Sequence, residues 1–529
     1  MKKAISLLLV LALTITFAAC GKPDASKPDE GAANGDAEYK DTLVVGTYSD
    51  QDTLDPHMNV TNDKVLRLIY DNLLTYDAQG KAIGALAETW ESSEDGLTWT
   101  FHLRSGVKFQ NGDDCTASDV LATYTRLLDE NNALRYTSQA SWIDTVSAPD
   151  DKTIVITLDG PHGCVEADMC AQYMSIMDEK YLEKYGNDIG IDPETINGTG
   201  PYKVTSWDAD EQMTFVANES WWQGEVGTKN MIYKIIPENS SRALAIETGE
   251  VDILDRPAVD DVARLKETEG LTVFAAPGYG LQGFQFNCSD LSVCKDVKVR
   301  QAISYAIDRE ALVSALLGDI EETATGGPLT PHIFGYFDFG VIKQDIEKSK
   351  ALLKEAGFAD GTDIRMMTYN GYNKGDEMAE VLKDQLSGVG INVTITSVDG
   401  ATFNATLNGL KPEDVPYDMF IMGYGGSTLD ADSALRRICV SSDDGLNTNN
   451  YGWYSNAKVD QLLNDAAVEN DQELRKEMYL EAHQIIYLDD PFAVYLNIRN
   501  AIYVHSDKVE NFSVSPSVIV EFEKVKVRV

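Results

Sequence analysis

Residues 283–309, GFQFNCSDLSVCKDVKVRQAISYAIDR, constrain this chain more than any other stretch. Phe284, Gln285 and Phe286 alternate as a half-buried strand does, and residues 287–294 read as a loop. Asp296 stands where a helix N-cap belongs, its carboxylate able to accept the unpaired N–H groups of a first turn. Val299, Ala302, Ile303, Ala306 and Ile307 recur at i, i+3, i+4, i+7 and i+8, an apolar stripe that must face a core. A strand entering a new lobe and a long helix opening it mark a domain threshold. Periodicity alone also describes an ordinary strand–loop–helix.

Size and charge narrow the rest. At 529 residues the chain exceeds what one core holds, so two or three domains are expected. It carries 85 acidic against 44 basic residues, a net charge of −41. Phosphate recognition needs basic clusters that the sequence lacks, which argues against nucleic acid as a partner. The ends say more. Lys2 and Lys3 precede an apolar run over residues 5–17, and Phe17-Ala18-Ala19-Cys20 resembles a bacterial lipobox with Phe in place of the usual Leu. Residues 1–20 are therefore expected to be a lipoprotein signal, with Cys20 acylated and holding the chain on the outer face of the cytoplasmic membrane. Residues 21–39 contain nothing aliphatic larger than Ala and read as a tether, spanning roughly 25 Å. No later run of eighteen apolar residues occurs, so the lipid is the only expected membrane contact.

Six cysteines follow Cys20. Cys164 and Cys170 fall in a helical stretch, where six residues rise about 9 Å, too far for a bridge. Cys288 and Cys294 flank a loop, where a disulfide is feasible. None has zinc-like spacing.

Several blocks carry a resemblance. Residues 42–48, TLVVGTY, form a buried strand followed by a loop ending T-L-D-P. Residues 85–129 contain L-A-x-x-W, D-G-L-x-W-x-F-x-L-R-x-G-V-x-F and T-A-x-D-V, read physically as two antiparallel strands and a capped helix. GTGPY at 198–202, A-L-x-x-x-x-G-E-x-D-I at 243–253, and FN with D-x-x-V-R-x-A-I-x-x-A-I-D-R at 286–309 complete the set. Together they resemble family 5 extracytoplasmic solute-binding proteins, the peptide- and nickel-type receptors of ABC importers. The resemblance implies an α/β, two-lobed periplasmic-binding-protein fold of class II type with an extra second domain. Residues 40–72, 198–282 and 487–529 would form domain I, 73–197 domain II, and 283–486 the ligand-closing domain III. A monomer that hands a small solute, a peptide first of all, to the importer's permease subunits is implied, with no cofactor. An oligosaccharide or metal–chelator complex is the alternative cargo.

Catalysis finds little support in the residues. Gly278 to Gly283 satisfies G-x-G-x-x-G, but a strand follows it where the dinucleotide fingerprint needs a helix N-terminus. No G-x-S-x-G, H-E-x-x-H or P-loop occurs, and the six histidines are scattered. A secreted hydrolase would need a nucleophile–base pair that the sequence does not display.

Candidate ligand contacts lie at strand ends, where glycines admit close backbone approach and aromatic rings make walls. They are Tyr48 and Ser49; Asn370 and Tyr372; Gly423, Tyr424, Gly425, Gly426 and Ser427; and Tyr451 with Trp453. The resemblance also implies departures. Peptide receptors of the family place an Asp after the block matching Gly423-Tyr424 to pair with the peptide's amino terminus. Ser427 occupies that position, and Asp430 and Asp432 are the nearest acidic alternatives. The arginine that meets the ligand carboxylate in dipeptide receptors would fall near Tyr369 or Asn370, neither of them basic.

Overall fold

The structure is a computed structural model that describes residues 38–529, apart from 61–62, 371–372, 443–444, 447–449 and 516–518. Cys20 and residues 1–37, on which the signal and most of the tether were read, lie outside the described residues.

Eleven strands build one mixed sheet, labelled here in chain order: β1 (Thr42–Thr47), β2 (Tyr202–Asp208), β3 (Gln212–Ala217), β4 (Asn230–Ile235), β5 (Ile253–Asp255), β6 (Leu271–Phe286), β7 (Glu322–Thr323), β8 (Thr362–Tyr369), β9 (Ile391–Val398), β10 (Met419–Tyr424) and β11 (Ala493–Ser506). Their order is β9-β8-β10-β6-β11-β5-β1-β4-β3-β2, with β7 on β11. The long antiparallel pair β6–β11 joins two halves. At one end it meets β10, and at the other it meets β5. Its ladder is irregular between Ala276 and Gly280, and the packing changes over there: Phe274 rests on the core around β1 and β4, whereas Leu281 belongs to the core around Tyr424 and Tyr495. Gly278 makes the crossing possible, since a Cβ there would lie 1.8 Å from the Arg499 carbonyl oxygen. The G-x-G-x-x-G run is thus strand, with no helix behind it.

A separate four-stranded antiparallel sheet, in order Ala87–Ser92, Thr98–Leu103, Thr153–Leu158, Ile143–Asp150, has its own apolar core and the helix Ala117–Leu128. Thr116 caps that helix in a reciprocal pair with Asp119. The T-L-D-P loop docks on the same helix: Arg126 donates to both oxygens of Asp55, at 3.2 and 2.7 Å. Burial beside this pair lowers the pKa of His57 to about 3.

The threshold segment folds as its pattern requires. Asp296 caps the helix Val297–Ala306, accepting from the Lys298 N–H at 2.8 Å, and the five stripe residues are fully buried. The expected single long helix is in fact two. Ile307 is extended, and the Asp308 side chain caps a second helix, Arg309–Leu317, because its carboxylate competes for the Ala311 N–H. All six cysteines beyond Cys20 are free thiols, Cys288 and Cys294 included.

Candidate ligand-binding site

A cleft of about 1480 Å³ opens where the two halves meet. The carboxyl ends of parallel strands point into it from both sides, the usual place for ligand in open α/β sheets. Tyr48 follows β1 and Arg256 follows β5 on one side; Tyr369 ends β8 and Gly423 and Tyr424 end β10 on the other. The floor is the β6–β11 crossing, with Tyr279 and Arg499.

The first wall is cationic. Arg256 Nη1 donates to the Tyr48 hydroxyl at 3.0 Å while its guanidinium lies 5.4 Å over the same ring. Burial works against that charge, but Asp255 and the nearby tyrosines outweigh it and hold the Arg256 pKa above its ordinary value. Arg256 adopts φ +53°, so its place at the cleft is held by the surrounding structure. Arg242 points three donors at the carbonyls of Ile236 and Pro237 and the Asn239 side chain, and burial lowers its pKa. Lys64 is largely spent on Asp255, with both oxygens at 2.7 Å. Around the whole cleft stand six basic against four acidic side chains, in a chain whose overall charge is −41. The cleft is a local inversion of the protein's charge.

Across from it, the part of the wall at the end of β10 is neutral and close-set. Tyr424 is 5% exposed, its ring edge-on to Tyr495 at 5.1 Å, so it offers the cleft mainly backbone and a ring edge. Gly425 and Gly426 continue the wall; a Cβ at Gly426 would meet the Ser433 hydroxyl at 2.2 Å. Tyr369 packs on Phe403 with centroids 4.6 Å apart, and the Tyr451 hydroxyl accepts from Arg437 at 2.9 Å.

Glu321 lies between these walls. Asn497 Nδ2 donates to one oxygen and Asn373 Nδ2 to the other. Burial lifts its pKa to about 7, against the pull of Arg499.

Six of the residues expected from the sequence come together here: Tyr48, Gly423, Tyr424, Gly425, Gly426 and Tyr451. Ser49, Asn370, Ser427 and Trp453 do not line the cleft. Ser427 and Asn370 are exposed outside it, and the Trp453 indole N–H is turned to the Gly445 carbonyl at 3.0 Å. Tyr372 lies outside the described residues. The two aspartates are corrections. Asp430 caps the helix Ala431–Cys439 and takes two 2.9 Å bonds from Arg475, which is 0% exposed. Asp432 pairs with Arg436 one turn on, through two 3.0 Å bonds. Both carboxylates are engaged in holding the helix behind the wall. The sequence reading missed Arg256, Arg242, Arg499 and Glu321. Arg256 had a signal, since it follows a short strand as Tyr48 does; Arg499 lies inside a long strand and had none.

The family model described as "Bacterial extracellular solute-binding proteins, family 5 Middle" matches residues 81–445. The glutathione-binding protein GsiB of Salmonella typhi is 29% identical over 487 residues, covering 91% of this chain and 93% of that protein. The periplasmic binding protein DppA from Helicobacter pylori, solved with the peptide STSA, superposes with a TM-score of 0.77 at 26% identity, covering 93% of this chain and 99% of that one. The substrate-binding protein CtaP from Listeria monocytogenes, at 22% identity, shares the fold with a TM-score of 0.83 over 93% of this chain and all of its own. Among the described residues no helix is long and apolar enough to cross a membrane. The chain belongs to family 5 of the bacterial extracellular solute-binding proteins, two-lobed receptors that serve ABC importers and bind their solutes without catalysis.

Proposed function

We propose that this receptor captures a short peptide, or a peptide-like solute with a free carboxylate, and that the carboxylate is met by the cationic wall. The observation that carries the reading is the charge inversion: Arg256, Arg242 and Arg499 line a cleft inside a strongly acidic protein. Attraction of an anionic group to such a site survives the repulsion of the whole molecule because the cleft walls exclude water and concentrate the local field. The opposite wall supplies aromatic edges and glycine backbone, which suit an extended chain with few side-chain demands. Kinship to a glutathione-binding protein and to a receptor solved with STSA makes glutathione and tetrapeptides the first compounds to try. A cleft of about 1480 Å³ exceeds the roughly 300–1,000 Å³ of a drug-sized site, so it suits several peptide residues or a smaller solute before closure.

In this reading residues 283–486 close on a body formed by 40–72, 198–282 and 487–529, with 73–197 as the additional domain. The irregular β6–β11 ladder is the hinge, and lipidated Cys20 keeps the receptor beside its permease. Small-angle scattering should show compaction when ligand binds, and Cys20→Ser should release the protein from membranes. The deciding experiment is mass spectrometry of small molecules freed by denaturing the purified protein, followed by calorimetry with the species found and its carboxamide. Tight binding of an uncharged oligosaccharide, or equal affinity for acid and amide, would overturn the proposal.

A further inference from the structure

Residues 161–170 carry a cluster that the cleft does not use. Cys164 is the N-cap of the one-turn helix Val165–Met169, and Asp168 lies four residues on, a spacing that places the two on one face. His162 Nε2 is 2.6 Å from Asp168 Oδ2 and 3.3 Å from Cys164 Sγ, and Sγ is 3.5 Å from the same carboxylate oxygen. Cys164 is 5% exposed, and the side chains of His162 and Asp168 are each 11% exposed. The Trp142 ring stacks on the imidazole at 4.8 Å and 5°, which fixes its plane. Gly163 pins the turn: its N–H donates to the Ala467 carbonyl at 2.8 Å, and a Cβ would sit 2.3 Å from the Glu469 carbonyl oxygen.

Two chemistries could use such a trio. A nucleophile–base relay needs both imidazole nitrogens, one toward the thiol and the other toward the carboxylate. Here thiol and carboxylate face the same nitrogen, so no relay forms. Convergence on one point is what a metal ion needs instead. Zinc bonds of about 2.3 Å to sulfur and about 2.0–2.2 Å to nitrogen and oxygen, at tetrahedral angles, set donors roughly 3.4–3.6 Å apart. The two sulfur separations are already within about 0.3 Å of that. Only the imidazole–carboxylate distance must widen, by about 0.8 Å, as the cation replaces the proton between them.

We propose that His162, Cys164 and Asp168 form a site for a divalent cation of the zinc class, separate from the solute cleft, with solvent at the fourth position. A thiolate ligand disfavours magnesium and calcium, and the imidazole suits zinc, cobalt and nickel. The thiol proton leaves to solvent as the sulfur–metal bond forms.

The test is a Co²⁺ titration of the full chain after chelator treatment. One equivalent should give a thiolate-to-cobalt charge-transfer band with tetrahedral d–d absorption, and Zn²⁺ but not Mg²⁺ should displace it. Cys164→Ser should abolish the charge-transfer band, His162→Gln should weaken affinity about 100-fold or more, and Cys170→Ser should leave both intact. Circular dichroism identifies any variant that fails to fold. If Cys164→Ser does so, the decision passes to His162→Gln, which replaces a partly exposed ring. No charge-transfer band in the wild type, or a band and affinity untouched in these two variants, would overturn the site.

Discussion

The two walls of the cleft are built on opposite principles. On the Gly423–Gly426 side, shape is set by backbone: glycines at a strand end, a ring edge from Tyr424, and a helix fastened behind them. On the Arg256 side, the wall is side-chain charge held in place by neighbouring oxygens and rings. The contrast teaches where charge does structural and where it does binding work. Asp430–Arg475 and Glu321–Arg499 are both acid–arginine associations, yet the first is sealed behind a wall and the second stands in the cleft.

The contrast breaks most severely at Asp430. Asp430→Ala strands the Arg475 guanidinium, which is 0% exposed, with an unpaired buried charge. The expected cost is about 3–5 kcal/mol of stability. A thermal melt should show a large drop in midpoint, while calorimetry on the protein that remains folded should show an unchanged preference between free and N-acetylated peptides. A large midpoint drop with a changed preference would return Asp430 to the role of amine anchor.

Glu321 offers the next largest effect, and its sign follows from its raised pKa. Below about pH 4 the carboxyl is protonated folded and unfolded alike, so it does not affect folding. Between there and about 7 the unfolded chain gives up the proton while the folded chain keeps it. Stability therefore falls as pH rises through this window and levels off above it, with a full penalty of roughly 3 kcal/mol. Glu321→Gln should melt higher than wild type at pH 8 and match it near pH 4. Parallel curves at every pH would show that the carboxyl titrates normally.

Arg256 sharpens the comparison on the binding side. A charge-assisted bond to a carboxylate contributes roughly 1.5–3 kcal/mol, so Arg256→Ala should weaken an acid-terminated peptide about 10- to 150-fold. The same substitution should barely affect the carboxamide, and a double-mutant cycle isolates that difference. Equal losses for acid and amide would mean that Arg256 acts only by supporting Tyr48.

The unequal legibility of the two walls has a physical cause. Strand-end glycines and tyrosines are local signals, and Tyr48, Gly423 and Tyr424 could be placed from a few neighbouring residues. The apolar stripe from Val299 to Ile307 was legible for the same reason, and so was the β6 strand through a misleading glycine motif. Charge convergence is not local. Arg242 and Arg256 lie at the two ends of one helix–strand unit while Arg499 comes from a strand far along the chain, and only the folded sheet brings them together. Spacing also misled in the other direction: Asp430 and Asp432 stand near the expected place in sequence, but Asp432 pairs with Arg436 one turn on and Asp430 pairs with Arg475 from a separate helix. His162, Cys164 and Asp168 lie within seven residues, yet their convergence depends on a tight turn that Gly163 permits and periodicity does not reveal.

The smallest expected effect is also the most discriminating. N-acetylation removes a peptide's ammonium, and in a receptor with an acidic anchor that loss should be as severe as amidating the other end. Here Ser427 is exposed outside the cleft, and Asp430 and Asp432 are committed to arginines. Asp260 and Glu377 both contact Lys374. Glu321 is already tied to Asn497 and Asn373, and near neutral pH it carries only part of a charge. Among the described residues Asp376, whose Oδ1 is buried without a hydrogen-bond partner, is the one acidic lining group not so engaged. Away from it an ammonium in this cleft meets neutral acceptors, worth about 1 kcal/mol or less apiece, and gives up strong hydration to do so. Calorimetry should find that acetylation costs less than about fivefold in affinity while amidation costs tenfold or more. The two modifications leave the peptide's length and side chains unchanged, so their ratio reads the asymmetry of the walls directly. A ratio at or below one would place the dominant anchor on the amine and break the assignment of the cationic wall.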